Sequence, residues 1–220
     1  MAGVPHHVTQ RGNQRQLIFL NRGDESAYLT LLRDCATRYN IETIAYCLMP
    51  NHVHLVVIPS CNQGLHLALK AAHGRYAQRI NRIKNQTGHF WQGRYFSSPL
   101  DADYFLNAVR YVELNPVRAG LVKAAEDFQW SSAAFHCGLR GDLIVKSLGQ
   151  PRLLAGIANW SRWLADGIAD DTLATLRQHG SQNLPCGSPQ FISALEQSVG
   201  RELRYRPPGR LPEAKGDGHL

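Results

Sequence analysis

Apolar and polar positions follow two different periods along the chain, and the switches between them mark out the elements. "PHHVTQRGN", residues 5–13, reads as a short polar-edged strand that ends at Gly12. From Asp24 the spacing turns helical. In "ESAYLTLLRDCATRYN", Tyr28, Leu31, Leu32, Cys35 and Tyr39 recur at helical intervals, with Asp24 as the expected N-cap and Asn40 as the stop. "IETIAYCLM" then reads as a strand, Pro50-Asn51 as a turn, and "HVHLVVI" as the partner strand of a hairpin. Residues 64–84 carry the period of a long helix. "HFWQGRYFSS" is aromatic and strand-like. Asp101 caps a helix over "ADYFLNAVRYVEL", which Asn115-Pro116 must end or kink because proline lacks the N–H donor and crowds the turn before it.

Strand, helix, hairpin, helix, strand, helix is the order of an α+β fold: an antiparallel sheet with helices packed on it, compatible with a ferredoxin-like core. Residues 1–137 would form this first unit. Beyond it come short, weakly periodic helical pieces, broken by "LPCGSPQ", so residues 138–200 read as a mainly helical C-terminal extension. Residues 201–220 are basic and rich in Pro and Gly, and are expected to be a disordered tail.

Composition narrows the class. The chain has 220 residues, 44% hydrophobic and 19% charged, enough for one well-buried domain with an extension or for two small domains. No apolar run approaches a membrane span, and "MAGVPHHVTQRGNQ" is too polar for a signal peptide, so no membrane association is expected. Five cysteines, odd in number and without a CxxC pair, point to a reducing cytoplasmic setting. The net charge of +7 is uneven. Residues 1–120 hold 13 Lys and Arg against 7 Asp and Glu, whereas the rest hold 11 against 10. A polyanion such as nucleic acid therefore suits the N-terminal part.

Three groups of residues carry candidate chemistry. Side chains alternate faces on a strand, so His52 and His54 share one face, roughly 7 Å apart along the chain. That is a workable bite for one metal ion, although two half-solvated histidines at a strand end would look the same. A third ligand is open among His6, His7, Glu113, Asn115 and the cysteines. On the helix after Asp101, Phe105, Ala108, Val109 and Val112 form an apolar stripe. Tyr104, Asn107, Tyr111 and Asn115 lie on an adjoining face, and Glu113 points nearly opposite Tyr111. Tyr111 and Asn115 are neighbours one turn apart; Tyr111 is equally readable as an amphipathic residue at the rim of the core. Finally, Arg75, Arg79 and Arg82 share a helix face in a stretch, residues 58–100, that holds no acidic residue. "GHFWQGRYF" follows with Phe90, Trp91, Arg94, Tyr95 and Phe96. Guanidinium groups for phosphates beside rings for bases suit single-stranded nucleic acid, and core packing can claim some of the same rings.

Together "HHVTQRGNQRQLIF", "YCLMPNHVHLVV", "HFWQGRYFSS" and "RYVELNPVRAGLV" resemble, in order, the motifs of the REP-associated tyrosine transposases. These are relatives of the small insertion-sequence transposases within the HUH single-strand nucleases. The resemblance covers about residues 5 to 137, with a shorter echo in "GSPQFISALEQSVGRELRYRPPGR". It implies that His52 and His54 are the paired metal ligands around the bulky apolar Val53, that Tyr111 is the nucleophile, and that Asn115 completes the metal site. It further implies cleavage and transfer of single-stranded DNA near hairpin-forming palindromic repeats, through a 5′-phosphotyrosine, with Mg²⁺ or Mn²⁺. Arg11, Arg75, Arg79, Arg82, Trp91, Arg94 and Tyr95 are the candidates for touching that DNA. The setting implied is the bacterial cytoplasm, at nucleoid DNA, and the protein would act as a monomer or a homodimer. Two other classes stay open: a catalytically idle hairpin-binding module, of DNA or RNA, descended from a transposase, and a metal-dependent nuclease that uses water, which would keep its activity without the Tyr111 hydroxyl.

Overall fold

The computed structural model of the protein describes residues 1–146 and 152–204, the side chains of residues 152 and 153 excepted. Strands β1 (His6–Arg11), β2 (Ile41–Met49), β3 (His52–Pro59) and β4 (Phe96–Pro99) form one sheet in the order β2-β3-β1-β4, and every neighbouring pair is antiparallel. Helices α1 (Asp24–Arg38) and α2 (Gly64–Lys84) cover one face, and α3 (Ala102–Glu113) lies against the other. The architecture is the α+β sandwich expected from the pattern.

The strand period decides what each face receives. Val53, Leu55 and Val57 of β3 join Tyr28, Leu32, Leu69, Tyr76 and Ile80 in the core under α1 and α2. Val56 goes the other way, into a second core with Phe105, Ala108, Val109 and Val112, the stripe anticipated on α3. A register shift between Thr43 and Ala45 of β2 lets Ile44 and Ala45 both enter that second core, while Tyr46 and Leu48 return to the first. His52 and His54 share the face of Val56, on the α3 side of the sheet.

After α3 the chain makes a short helix α4 (Asn115–Arg118), with Pro116 in its first turn, where no N–H is required. The helices α5 (Ala133–His136), α6 (Arg152–Ala155), α7 (Trp160–Ala165), α8 (Asp170–Gly180) and α9 (Pro189–Val199) follow. Leu154, Trp160, Leu164, Leu176 and Cys186 from this stretch are buried in the second core. The C-terminal helices thus complete the layer that α3 begins. Asp101 ties the two parts together: one carboxylate oxygen accepts from Tyr104 N at 3.0 Å and caps α3, and the other accepts from Ser188 N at 2.7 Å.

Two local expectations are corrected. Asp24 does not cap α1; Gly23 holds that position, and the Asp24 carboxylate accepts instead from Leu20 N and Asn21 N, closing the loop behind it. Strand β4 takes in only Phe96 to Pro99 of the aromatic stretch, because Phe90 and Trp91 are drawn into the first core. There the Trp91 indole donates to His73 O at 2.9 Å. Of the expected tail, residues 205–220 lie outside the described residues. The adjoining Leu203 N donates to Glu196 Oε1 at 2.9 Å.

Candidate active site

The register of the central strands assembles the site. β1 pairs with β3 so that Thr9 faces His54, Arg11 faces His52, and His7 is the diagonal neighbour of His54. His7, Thr9, Arg11, His52 and His54 thereby share one surface. Tyr111 reaches it from α3, Leu176, Arg177 and Gly180 from α8, and Ser181 from the C-cap of α8. With Gln92 and Phe96 these residues line a cavity of about 380 Å³. Among the described residues no carboxylate lines it, and two guanidinium groups do.

The rings are close. His52 and His54 are 4.8 Å apart between centroids, and the Tyr111 ring lies 5.6 Å from His54 and 5.5 Å from His7, edge-on to both. His7 Nε2 is 3.0 Å from His54 Nδ1, and His52 Nδ1 is 2.6 Å from Asn51 Oδ1. Tyr111 is 8% exposed, and the guanidinium of Arg118 stacks over its ring at 4.3 Å. Arg118 also donates to the Tyr111 carbonyl. Among the described residues nothing hydrogen-bonds the Tyr111 hydroxyl.

The histidines are held neutral. Burial pushes His7 down to about 4. Burial and then the nearby Arg11 guanidinium lower His52 to about 4. His54 falls well below its ordinary value, first through burial and then through the other imidazoles, Arg118 and Arg11. Neutral imidazoles keep the lone pairs that metal ligation needs. Among the described residues no group of three His, Cys, Asp or Glu is set to hold a metal ion. The donor set that fits one is the pair His52 and His54, each with its Nδ1 already in a hydrogen bond.

The structure brings His52, His54, Tyr111 and Arg11 to one cavity together with His7 and Phe96, and it places the remaining sequence candidates elsewhere. Asn115 starts α4, and its amide nitrogen donates to the Tyr111 and Val112 carbonyls at 3.1 and 3.4 Å. His6 is on the opposite sheet face, its Nδ1 2.9 Å from Ser97 Oγ. Glu113 is fully buried away from Tyr111 among Ser132, His136 and Trp160. None of the cysteines lines the cavity. Arg75, Arg79 and Arg82 are exposed along a groove of about 430 Å³ between α1 and α2, on the far layer, and Arg79 pairs with Asp24 at 3.6 Å. Arg94 is exposed, whereas Tyr95 and Trp91 are partly buried against the first core. Arg177 and Gly180 of α8, Ser181 just after it, and Arg118 were not anticipated from their spacing. Arg118 stands within the quoted "NPVR", the one signal that marked any of them.

The cavity thus sets a phenol beside neutral imidazoles under a cationic rim. The sequence profile of the family described as "Transposase IS200 like" matches residues 2–115, and the chain belongs to this family of tyrosine transposases. It is similar to a Haemophilus influenzae (strain Rd) protein assigned as a REP-associated tyrosine transposase, at 25% identity over 122 residues, which cover 50% of this chain and 68% of the relative. The solved structure of a REP-associated tyrosine transposase bound to a REP hairpin superposes with a TM-score of 0.54 at 18% identity. That match covers 69% of this chain and 93% of the other, and it establishes the shared fold.

Proposed function

We propose that the chain cleaves and rejoins single-stranded DNA beside hairpin-forming palindromic repeats, with Tyr111 as the nucleophile. The observation that carries this reading is the Tyr111 ring 5.6 Å from His54 in one cavity, on two elements that only the fold brings together. The Tyr111 oxygen forms a bond to the phosphorus of a backbone diester as the bond to the 3′ oxygen breaks. The phenol gives up its proton and the departing 3′ oxygen takes one, which leaves a 5′-phosphotyrosine and a 3′-hydroxyl. Attack by a 3′-hydroxyl on that link reverses the step and joins strands without an outside energy source.

Phenols ionise near pH ~10, so attack at neutral pH benefits from charge withdrawal at the phosphate. His52 and His54, with Asn115 if its amide turns from the α3 carbonyls, would hold a Mg²⁺ or Mn²⁺ ion. Bound there, the ion would supply Lewis-acid polarisation of a non-bridging phosphate oxygen. Imidazoles suit Mn²⁺, and the DNA's oxygens admit Mg²⁺. Arg118 and the two imidazole edges hold the Tyr111 ring. Arg11 receives the strand's phosphates at the cavity mouth, and Arg94 lies exposed two residues beyond the cavity-lining Gln92. Arg75, Arg79 and Arg82 offer a second basic surface for the hairpin stem.

The test is end-labelled single-stranded DNA carrying candidate hairpins, incubated with the protein and Mn²⁺ or Mg²⁺. A denaturation-resistant protein–DNA adduct is expected, absent from Tyr111→Phe and from EDTA-treated protein, with hairpin binding by Tyr111→Phe largely intact. Cleavage that persists in Tyr111→Phe makes water the nucleophile and refutes the mechanism. Binding with no cleavage under any metal makes the protein a binding module.

A further inference from the structure

Two residues of the quoted motifs, His7 in "HHVTQRGN" and Asn51 in "PNHVH", touch no reacting atom in the step above, yet each ends at Nδ1 of one of the paired histidines. Asn51 Oδ1 lies 2.6 Å from His52 Nδ1, and its amide nitrogen is occupied in donating to Arg15 O at 3.3 Å. An amide oxygen only accepts. Against it His52 carries its proton on Nδ1 and keeps the lone pair on Nε2.

The second contact is between two imidazoles, stacked at 5.2 Å with planes 9° apart. One of the two nitrogens must donate. If His54 Nδ1–H donates to His7 Nε2, then His54 Nε2 is a lone pair and His7 holds its proton on Nδ1. If His7 donates, the proton of His54 sits on Nε2 and blocks ligation there. Among the described residues the buried His7 Nδ1 has no hydrogen-bond partner; it lies against α8, where a Cβ on Gly180 would come within 3.4 Å of it. The two arrangements therefore leave His7 Nδ1 equally unsatisfied, as donor or as acceptor, and a cation at His54 Nε2 selects the first.

We infer that Asn51 and His7 are positioning residues that hold His52 and His54 as Nδ1–H tautomers, leaving both Nε2 atoms as ligands for one divalent cation. This rests on the metal-dependent reading of the cavity. Partners of this kind orient a ligating imidazole and raise its basicity, and their loss weakens metal binding by about 10–100-fold. His7 also packs edge-on to Tyr111, so one buried ring sets both the ligand and the nucleophile.

The experiment is calorimetric titration of DNA-free protein with Mn²⁺, for wild type, Asn51→Ala, His7→Leu and His7→Gln, with thermal unfolding as the check that each is folded. Asn51→Ala and His7→Leu are expected to bind about 10–100-fold more weakly, and His7→Gln, which keeps an acceptor, to recover most of the loss. Imidazole ¹⁵N spectra of Mg²⁺-loaded wild type are expected to show the His52 and His54 protons on Nδ1. Should His7→Leu not fold, Asn51→Ala and His7→Gln still decide. Wild-type affinity in Asn51→Ala and in a folded His7→Leu, or a loaded His54 protonated on Nε2, overturns the inference alone. Wild-type protein that takes up no Mn²⁺ overturns the metal-dependent reading and this inference with it.

Discussion

Glu113 stands two residues after Tyr111 and is fully buried, so its replacement tests how the tyrosine helix is held. Its carboxylate accepts from Ser132 Oγ at 2.5 Å and from Trp160 Nε1 at 2.7 Å, and lies 2.6 Å from His136 Nδ1. Ser132 Oγ in turn accepts from Tyr46 N at 3.0 Å, so one carboxylate links α3, the sheet, α5 and α7. Glu113→Ala leaves three donors without their acceptor in a place water does not reach. Each costs about 1–3 kcal/mol, and losing a buried hydrogen-bond network of this kind costs about 3–5 kcal/mol in total. Against a typical stability of about 5–15 kcal/mol this is a fifth or more. At about 2–4 °C per kcal/mol for a chain of this size, the midpoint should drop by roughly 10 °C. Glu113→Gln keeps the shape and one acceptor oxygen, and should lose about half as much. Urea unfolding followed by tryptophan fluorescence gives both numbers, since Trp160 is in the network. A loss under about 1 kcal/mol for Glu113→Ala would refute the reasoning, as would a Gln variant as unstable as the Ala one.

Two further outcomes are expected. His73 is buried against Tyr28 and Trp91, and burial holds it down to about 3, so the unfolded chain takes up a proton that the folded one refuses. Its stabilising contribution is whole above about pH 6.5 and is lost as pH falls from there toward 3, by about 1.4 kcal/mol per pH unit at most. Unfolding free energies at pH 4.5, 5.5 and 7 should show a slope smaller by about one proton in His73→Gln, and an unchanged slope would contradict this. A Cβ on Gly12 would fall 2.5 Å from Gln16 O and 2.8 Å from the Ile18 side chain, so Gly12→Ala should destabilise by about 1–3 kcal/mol and displace the loop next to Arg11; a neutral midpoint in thermal unfolding would count against it.

Local chemistry made part of this site legible. The alternation in "HVHLVV" put His52 and His54 on one face, and the helical stripe through Phe105, Val109 and Val112 turned Tyr111 toward the rim of the core, as α3 shows. Asn115 before Pro116 marked the end of that helix. Such assignments need only neighbours within a turn or a strand. His7 was one of several open candidates, because its place beside His54 comes from pairing β1 with β3 across 47 residues of chain. Asp24 looked like a cap by type, yet its carboxylate turned to the amides of the loop before it. Trp91 and Phe90 read as strand residues until the first core claimed them.

Local pattern was thus enough for the elements and the two faces of each strand, which follow from periods of 2 and 3.6 residues, and residue type was enough for the groups able to do chemistry. Only the tertiary structure decided which groups meet. It set His7 against His54, and it laid α8 with Arg177 over the cavity. It also gave Glu113 its partners, Ser132, His136 and Trp160. The physical reason is that strand order and helix docking are fixed by burying two apolar faces at once, and no local pattern records which distant residues that burial draws together.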